Sequence, residues 1–349
     1  MSNNIIINKI VNLHIVSIGA IFISLLLLST FIASQGLITV QVAKAAQVNR
    51  NSDNDNVSTS VSGSSSSNSI ITNQNASIGV KKVRVGDIDI AYRMFGKGDP
   101  LLLIAGAGAT MDSWDPTVLR QLSENHTVII FDNRGIGKTP SGSLTHLTIS
   151  QYANDTAGLL DALHITKPVG VLGHSLGSFI AQELALTHPQ KVDKLILFAS
   201  NCGTKEAIPG TPEAAADFAK LASPNLTSMQ QVQIIADLLF PAKWKKEHPN
   251  YVSYLPKSIY NEYITPQTVR RQGEAVATWK GSCNRLAGIN IPTLVLVGTD
   301  DNVTPPANSL MLAEKIPAAW LVQINGGGHG LIYQYPDKFS KIVITFLGT

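Results

Sequence analysis

The sequence predicts an α/β protein with a mostly parallel central sheet and helices on both of its faces. Short apolar runs, which are typical of buried strands, recur along the 349-residue chain from residue 101 onward. Helical patterns separate several of these runs, notably at residues 150–163 and 176–187. Because neighbouring parallel strands need a crossover connection, usually a helix, this alternation predicts a sheet that is covered on both sides.

The first 46 residues differ in composition from the rest of the chain. No Asp, Glu, Lys or Arg occurs between Lys9 and Lys44, and the stretch from Ile15 to Ala33 is almost long enough and apolar enough to span a bilayer. Ala43-Lys44-Ala45 is similar to a signal-peptide cleavage site. We therefore predict a signal peptide or an uncleaved signal anchor, separate from the fold. Both alternatives make the protein extracytoplasmic, either secreted or held by a membrane tether.

A Ser- and Asn-rich segment follows at residues 47–77 and includes the four serines Ser64 to Ser67. Such a composition cannot bury enough apolar surface to offset the entropy lost on ordering. We predict a disordered tether over this segment and a folded domain at residues 78–349.

The folded domain begins with a predicted hairpin and continues with alternating strands and helices. Its first two strands, Lys81–Val85 and Ile88–Tyr92, are separated by Gly86-Asp87. Core strands are predicted at residues 101–104, 127–131, 169–172, 194–198, 293–297 and 320–324. Strand patterns are missing between about residues 203 and 287, where helical patterns occur at 214–221, 230–239 and 266–279. This insertion predicts a helical cap over the carboxyl edge of the sheet.

The segment Gly173-His174-Ser175-Leu176-Gly177 stands between an apolar run and a helical pattern. A G-x-S-x-G motif in that context is typical of a nucleophile elbow, a tight turn that raises the serine hydroxyl above the sheet. Ser175 is therefore the candidate nucleophile. A serine hydroxyl needs a base and a group that orients the base, so the chain must supply both.

Candidates for both groups occur downstream of the elbow. Asp300 and Asp301 follow a buried strand, at the edge of the sheet where such folds place their reactive groups. Either aspartate could instead cap the helix that begins near Pro305. His329 lies in a glycine-rich stretch after the last strand, and its flanking glycines allow the turns that direct a side chain inward. His329 is the candidate base.

These motifs and their order resemble the α/β-hydrolase family over about residues 81–347, and more narrowly its esterase, lactonase and cofactor-free haloperoxidase-like members. Ala105-Gly106-Ala107-Gly108 resembles the family's H-G-x-G oxyanion loop, although Ala105 replaces the usual histidine. The resemblance favours Asp301 as the acid, since it occupies the G-x-x-D position, and implies that the backbone N–H groups of Ala107 and Leu176 form the oxyanion hole.

The predicted function is that of a serine hydrolase that cleaves a small-molecule carboxylic ester or lactone through an acyl-enzyme on Ser175. One alternative is a cofactor-free perhydrolase or haloperoxidase-like oxidoreductase with the same triad, and another is a catalytically silent binding domain. Trp279 is a candidate for lining an apolar substrate pocket, but a large aromatic side chain is also common in a core. Asp132 and Arg134, in a stretch that resembles the family's D-x-R-G-x-G turn, are predicted to hold that turn.

The composition argues against several other classes of function. The 27 Lys and Arg residues nearly balance the 24 Asp and Glu residues and form no basic block, so nucleic-acid binding is not predicted. No phosphate loop, dinucleotide fingerprint or metal-ligand spacing occurs in the sequence, so no metal and no cofactor is predicted. Cys202 and Cys283 bracket the cap and could pair in an oxidising compartment, but two cysteines alone leave their pairing open.

Overall fold

The computed structural model describes residues 5–9, 79–144, 146–203, 205–261 and 264–349. The predicted tether and the apolar stretch of the predicted signal segment lie outside these described residues. Among the described residues, no helix has the length and apolar character needed to cross a membrane.

A nine-stranded sheet forms the centre of the molecule. Its strands in chain order are β1 (Ile5–Lys9), β2 (Lys81–Val85), β3 (Ile88–Gly96), β4 (Asp99–Ile104), β5 (His126–Phe131), β6 (Val169–His174), β7 (Val192–Phe198), β8 (Thr293–Gly298) and β9 (Ala319–Ile324). Their order across the sheet is β1-β9-β8-β7-β6-β4-β5-β3-β2. The pairs from β9 across to β5 are parallel, and β1, β2 and β3 join antiparallel. The predicted mostly parallel sheet is therefore confirmed.

Strand β1 pairs with β9, with Ile5 opposite Ile324 and Lys9 opposite Trp320. The expectation that residues 1–46 are separate from the fold therefore differs from the structure for these five residues. The physical reason is that a parallel sheet leaves unpaired N–H and C=O groups along its outer strand, and a β-branched run such as Ile5 to Ile7 can pair with them.

Eleven α-helices occur in the described residues. They are α1 (Pro116–Ser123), α2 (Ile149–Ala162), α3 (Leu176–Thr187), α4 (Pro212–Leu221), α5 (Ser228–Leu239), α6 (Ala242–Glu247), α7 (Lys257–Asn261), α8 (Pro266–Thr278), α9 (Pro306–Lys315), α10 (Leu331–Gln334) and α11 (Pro336–Leu347). Helices α4 to α8 lie between β7 and β8 and form the predicted cap. The prediction missed α6 and α7, which are only five or six residues long, too short for a helical period to be recognised.

The core has one apolar layer on each face of the sheet. Along β4, Leu102 and Ile104 pack in one layer with residues of α2, α3 and α9, while Leu101 and Leu103 pack in the other with residues of α1 and α11. All four side chains are fully buried. Since successive strand residues face opposite sides, a continuous apolar run is required where both faces are covered.

The base of the cap is bound covalently to the core. Cys202, just after β7, forms a disulfide with Cys283, which lies beyond α8 and 81 positions further along the chain. The pairing that the sequence left open is thus present, and the bond encloses the cap. Glu183 of α3 adds an ion pair at the same place, since its two carboxylate oxygens accept hydrogen bonds of 3.1 and 2.7 Å from Arg285.

Candidate active site

Ser175 lies at the junction of β6 and α3 with a φ of +52° and a ψ of −118°. A positive φ is unfavourable for a residue with a side chain, so the surrounding structure must hold this conformation. The Ser175 N–H donates to the carbonyl of Phe198 at 3.0 Å. A Cβ atom at Gly173 would lie 2.4 Å from the carbonyl oxygen of Gly177, and one at Gly177 would lie 2.0 Å from that of Ile104. The turn therefore requires glycine at both positions of the predicted elbow.

His329 and Asp301 form a buried pair on the loops that follow β9 and β8. Nδ1 of His329 lies 2.9 Å from Oδ2 and 3.1 Å from Oδ1 of Asp301, and the two residues are only 4% and 2% exposed. The neighbouring Asp300 carboxylate instead accepts a hydrogen bond of 2.9 Å from the Thr299 hydroxyl. The structure thus brings Asp301 rather than Asp300 to the imidazole.

The Asp301 carboxylate is also held by its own loop. It accepts hydrogen bonds from the backbone N–H groups of Val303 and Thr304 and from the Thr304 hydroxyl, at 2.8 to 2.9 Å. Burial alone would favour the neutral acid, but the attraction of His329 and these hydrogen bonds outweigh it and lower the pKa of Asp301. An ionised carboxylate at Nδ1 fixes the proton of His329 on that nitrogen, so Nε2 is left as the acceptor.

The two predicted oxyanion-hole residues line the same cavity as Ser175 and His329. Ala107 lies in a turn in which the Ala109 N–H donates to the Gly106 carbonyl at 3.3 Å. Leu176 is the first residue of α3, so its N–H has no acceptor within the helix and lies at the positive end of the helix dipole.

The cavity between the cap and the core has a volume of about 600 Å³. Its wall is mainly apolar, and the cap contributes more than half of the described residues that line it. The apolar cap residues that line it include Phe218, Leu221, Ile235, Leu238, Leu239, Ile259, Ile264, Val269 and Val276. Among the described lining residues, Arg270 is the only Lys, Arg, Asp or Glu.

Trp279 lies behind the cavity wall rather than in it. Its ring stacks on Phe179 with the ring centres 5.1 Å apart, and its Nε1 donates to Glu183 at 3.1 Å. Phe179 lines the cavity, whereas Trp279 is not among the described lining residues. The structure therefore does not bring Trp279 to the cavity wall. The Glu183 carboxylate attracts the indole N–H to the base of the cap, where the ring helps to anchor the cap to α3.

His174, the variable residue of the elbow motif, supports the candidate base. Its Nε2 lies 3.2 Å from the backbone carbonyl of His329, to which a protonated Nε2 donates, and its ring stacks on Phe198 at 4.5 Å. Burial, reinforced by the nearby His329, lowers the pKa of His174 to about 3. The imidazole of His174 is thus neutral near pH 7. Its position inside the motif was visible in the sequence, but its contact with the distant loop was not.

The remaining predicted motif residues hold loops together, as expected. Asp132 accepts hydrogen bonds of 2.8 Å from the backbone N–H groups of Met111 and Lys138. Arg134 is buried and forms a two-point ion pair with Asp155 at 2.7 and 2.8 Å. None of the described residues form a group of three or more His, Cys, Asp or Glu that could hold a metal ion.

Comparisons with known proteins agree with the fold of the chain. Residues 99–336 match the sequence model of the alpha/beta hydrolase fold. The chain therefore belongs to the α/β-hydrolase family. A protein named "Putative carbamate hydrolase RutD" from Azorhizobium caulinodans is 28% identical over 263 residues, which cover 75% of this chain and 96% of that protein.

Solved structures of similar fold include two enzymes. Est816, described as an N-acyl homoserine lactone degrading enzyme, is 27% identical with a TM-score of 0.62, covering 76% of this chain and 100% of that one. A hydrolase from Pseudomonas aeruginosa PA01 is 25% identical with a TM-score of 0.66, covering 78% of this chain and 100% of that one.

Proposed function

We propose that this protein is a serine hydrolase that cleaves an uncharged carboxylic ester or lactone through an acyl-enzyme on Ser175. One observation carries the proposal. Ser175, on a strained elbow, shares an apolar cavity with His329, whose Nδ1 is held by the buried carboxylate of Asp301. A serine that lines a cavity, an oriented imidazole and an ionised acid are the parts that acyl transfer requires.

In the acylation step, Nε2 of His329 accepts the hydroxyl proton of Ser175 while Oγ bonds to the substrate carbonyl carbon. Asp301 stabilises the imidazolium that forms. The carbonyl oxygen becomes an oxyanion and accepts hydrogen bonds from the N–H groups of Ala107 and Leu176. When the tetrahedral intermediate collapses, the bond to the alcohol oxygen breaks, and that oxygen takes the proton from His329.

Deacylation uses the same groups with water as the nucleophile. His329 accepts a proton from the water as the water oxygen bonds to the acyl carbon, and the same two N–H groups stabilise the second oxyanion. Collapse of this intermediate returns the proton to Oγ of Ser175 and releases the carboxylic acid. A lactone reacts in the same way, except that its alcohol group stays attached to the acyl chain.

The cavity supports an apolar, uncharged substrate. Its volume of about 600 Å³ falls within the range of small-molecule sites. Burying a charged group against apolar side chains is costly unless the charge is paired, and Arg270, the one Arg or Lys among the described lining residues, is largely exposed. These features favour an acyl or alkyl chain in the cavity. They disfavour small anionic substrates.

A substrate panel tests the proposal directly. It contains p-nitrophenyl esters from acetate to laurate, N-acyl homoserine lactones of matching acyl lengths and a phenyl carbamate, with Ser175→Ala as the control. We expect turnover of esters or lactones that rises with acyl length to an optimum, and mass spectrometry should detect an acyl adduct on Ser175. Turnover that persists in Ser175→Ala would contradict the proposal. A rate of peracid-dependent halogenation that exceeds the rate of hydrolysis of every ester and lactone in the panel would favour the oxidoreductase alternative.

We also propose that the catalytic domain works outside the cytoplasm. The disulfide at the base of the cap supports this, because such bonds persist in oxidising compartments and are rare in the cytosol. The uncharged, apolar stretch near the N-terminus supports it independently. The test is whether protease added to intact cells digests the domain. A domain that is cut only after lysis would contradict this location.

A further inference from the structure

Gln272, on cap helix α8, reaches across the cavity boundary to the loop that carries Ala107. Its side chain is 4% exposed, and its Oε1 accepts a hydrogen bond of 2.7 Å from the Gly108 N–H. A backbone N–H can only donate, so the atom that faces it must be the amide oxygen. The contact joins residues that are 164 positions apart in the chain.

The loop from Ala105 to Ala109 has no side chain that could fix its backbone conformation through a hydrogen bond. Its five residues are alanine and glycine, none of which has a polar side chain. Within the loop, the Ala109 N–H to Gly106 carbonyl contact is long at 3.3 Å. The φ of +70° at Gly108 is the value that a type II turn needs at its third residue.

The orientation of the Ala107–Gly108 peptide decides which type this turn adopts. Rotation of that central peptide interconverts type I and type II turns, which differ in ψ at the second residue and φ at the third. The bond from the Gly108 N–H to Gln272 holds this peptide in one orientation. It thereby restricts the backbone directly after Ala107, which lines the cavity.

We propose that Gln272 is a positioning residue that holds the oxyanion loop in its working geometry from the cap. The inference rests on the proposed function, because Ala107 needs a defined position only if its N–H stabilises an oxyanion. Preorganised donors account for much of the rate of acyl transfer, and small displacements of such groups are costly.

The same helix also forms part of the cavity wall. Val269 and Val276 of α8 line the cavity together with Gln272. A substrate chain that packs against α8 therefore stabilises the helix position from which Gln272 holds the Gly108 N–H. Occupation of the cavity and assembly of the oxyanion hole are thereby coupled through Gln272.

Gln272→Met tests the proposal, because methionine has a similar length and no strong acceptor. We expect kcat on the preferred ester to fall by up to about 100-fold, with little change in KM. The affinity for an alkyl trifluoromethyl ketone, whose tetrahedral adduct on Ser175 uses the oxyanion hole, should weaken in parallel with kcat. A variant with raised KM and unchanged kcat would overturn the proposal.

Arg271→Met is the matched control. Arg271 lies on the same helix and donates to the Ser141 hydroxyl at 2.7 Å, away from the oxyanion loop. If substitutions on α8 weaken the packing of the cap in general, Arg271→Met should lower the Tm as Gln272→Met does. It should not weaken the affinity for the ketone. Equal effects of the two variants on kcat and ketone affinity would show that Gln272 only stabilises the cap, and would overturn the proposal.

Amide hydrogen exchange of the wild-type protein provides a test that does not depend on whether a variant folds. The Gly108 N–H should be protected from exchange, although it lies in a turn at the cavity. Exchange at the rate of an unprotected amide would overturn the inference even if the esters are turned over. Conversely, a wild-type protein that hydrolyses no member of the panel refutes the proposed function, whatever the exchange result.

Discussion

The Asp301 carboxylate contacts Nδ1 of His329 through both of its oxygens, at 2.9 and 3.1 Å. The two residues are 28 positions apart and follow neighbouring parallel strands, β8 and β9. The parallel pairing brings the carboxyl ends of these strands to one edge of the sheet, so two separate loops can supply one hydrogen-bonded pair.

Asp301→Asn should lower kcat by about 10³- to 10⁴-fold while the fold is retained. The amide keeps the size of the carboxylate but lacks the charge that holds His329 in the productive tautomer. Steady-state kinetics on the preferred ester measures the effect. Asp300→Asn is the matched control and should have little effect, because Asp300 contacts Thr299 instead. A large loss of kcat in Asp300→Asn, with a small loss in Asp301→Asn, would show that the acid is assigned wrongly.

Ser175→Ala should reduce kcat by about 10⁴-fold or more, since it removes the attacking oxygen. The positive φ at this position is as unfavourable for alanine as for serine. The substitution therefore adds no backbone strain, so the elbow should be unchanged and the Tm close to that of the wild type. Kinetics and thermal unfolding on the same purified sample test both expectations. Near-normal turnover would eliminate Ser175 as the nucleophile.

Loss of the disulfide should destabilise the protein. Cys202→Ala with Cys283→Ala releases a loop of 81 residue separation, and removal of a native disulfide typically costs about 2 to 5 kcal/mol. The free energy of unfolding in guanidinium chloride measures the loss. Reduction of the wild-type protein should lower its stability to a similar degree. A double variant as stable as the oxidised wild type would show that the bond contributes nothing to stability.

Acid should destabilise the protein partly through His174. Its folded-state pKa of about 3 lies below the ordinary value of 6.5, so between these limits the unfolded chain binds a proton that the folded chain does not. The free energy of unfolding should therefore decrease as the pH falls from 6.5 towards 3, by at most about 1.4 kcal/mol per pH unit for this one group.

His174→Gln keeps a side-chain donor for the His329 carbonyl but removes this titration. The slope of unfolding free energy against pH should be shallower in the variant than in the wild type. Asp301 also contributes to the dependence of stability on pH, because its lowered pKa stabilises the fold at pH values above its ordinary pKa of 3.8. Both proteins retain Asp301, so this contribution does not affect the comparison of their slopes. Identical slopes would contradict the neutral state assigned to His174.

Removal of residues 1–77 should leave a soluble, active domain. Strands β2 to β9 and the residues of the candidate site all lie beyond that point, and the matched family domain starts at residue 99. Among the described residues, only the pairing of β1 with β9 is lost. Ester turnover and size-exclusion chromatography of the shortened protein test the prediction. Aggregation, with full-length protein active in detergent, would show that the edge strand is needed.

Sequence patterns predicted the strands and helices whose apolar residues recur at short, regular spacing. Most predicted strand boundaries lie within two residues of those observed, because an apolar run between turn residues is a local signal. Strand β3 is longer than predicted and extends to Gly96, since residues 93–96 pair with β5, a long-range contact that no local pattern reveals. The helical cap was predicted for a similar reason, although its two short helices were not.

The sequence by itself determined the candidate nucleophile Ser175 and the candidate base His329, and it narrowed the acid to Asp300 or Asp301, because these residues stand in motifs directly after strands and their order is diagnostic. Only the tertiary structure decided which aspartate reaches the imidazole, that Trp279 packs behind the cavity, and that Gln272 holds the Gly108 N–H. These depend on the directions of side chains that are far apart in the chain. The spacing of residues along a sequence predicts local structure, whereas contacts between a cap and a core form only when the whole chain is packed.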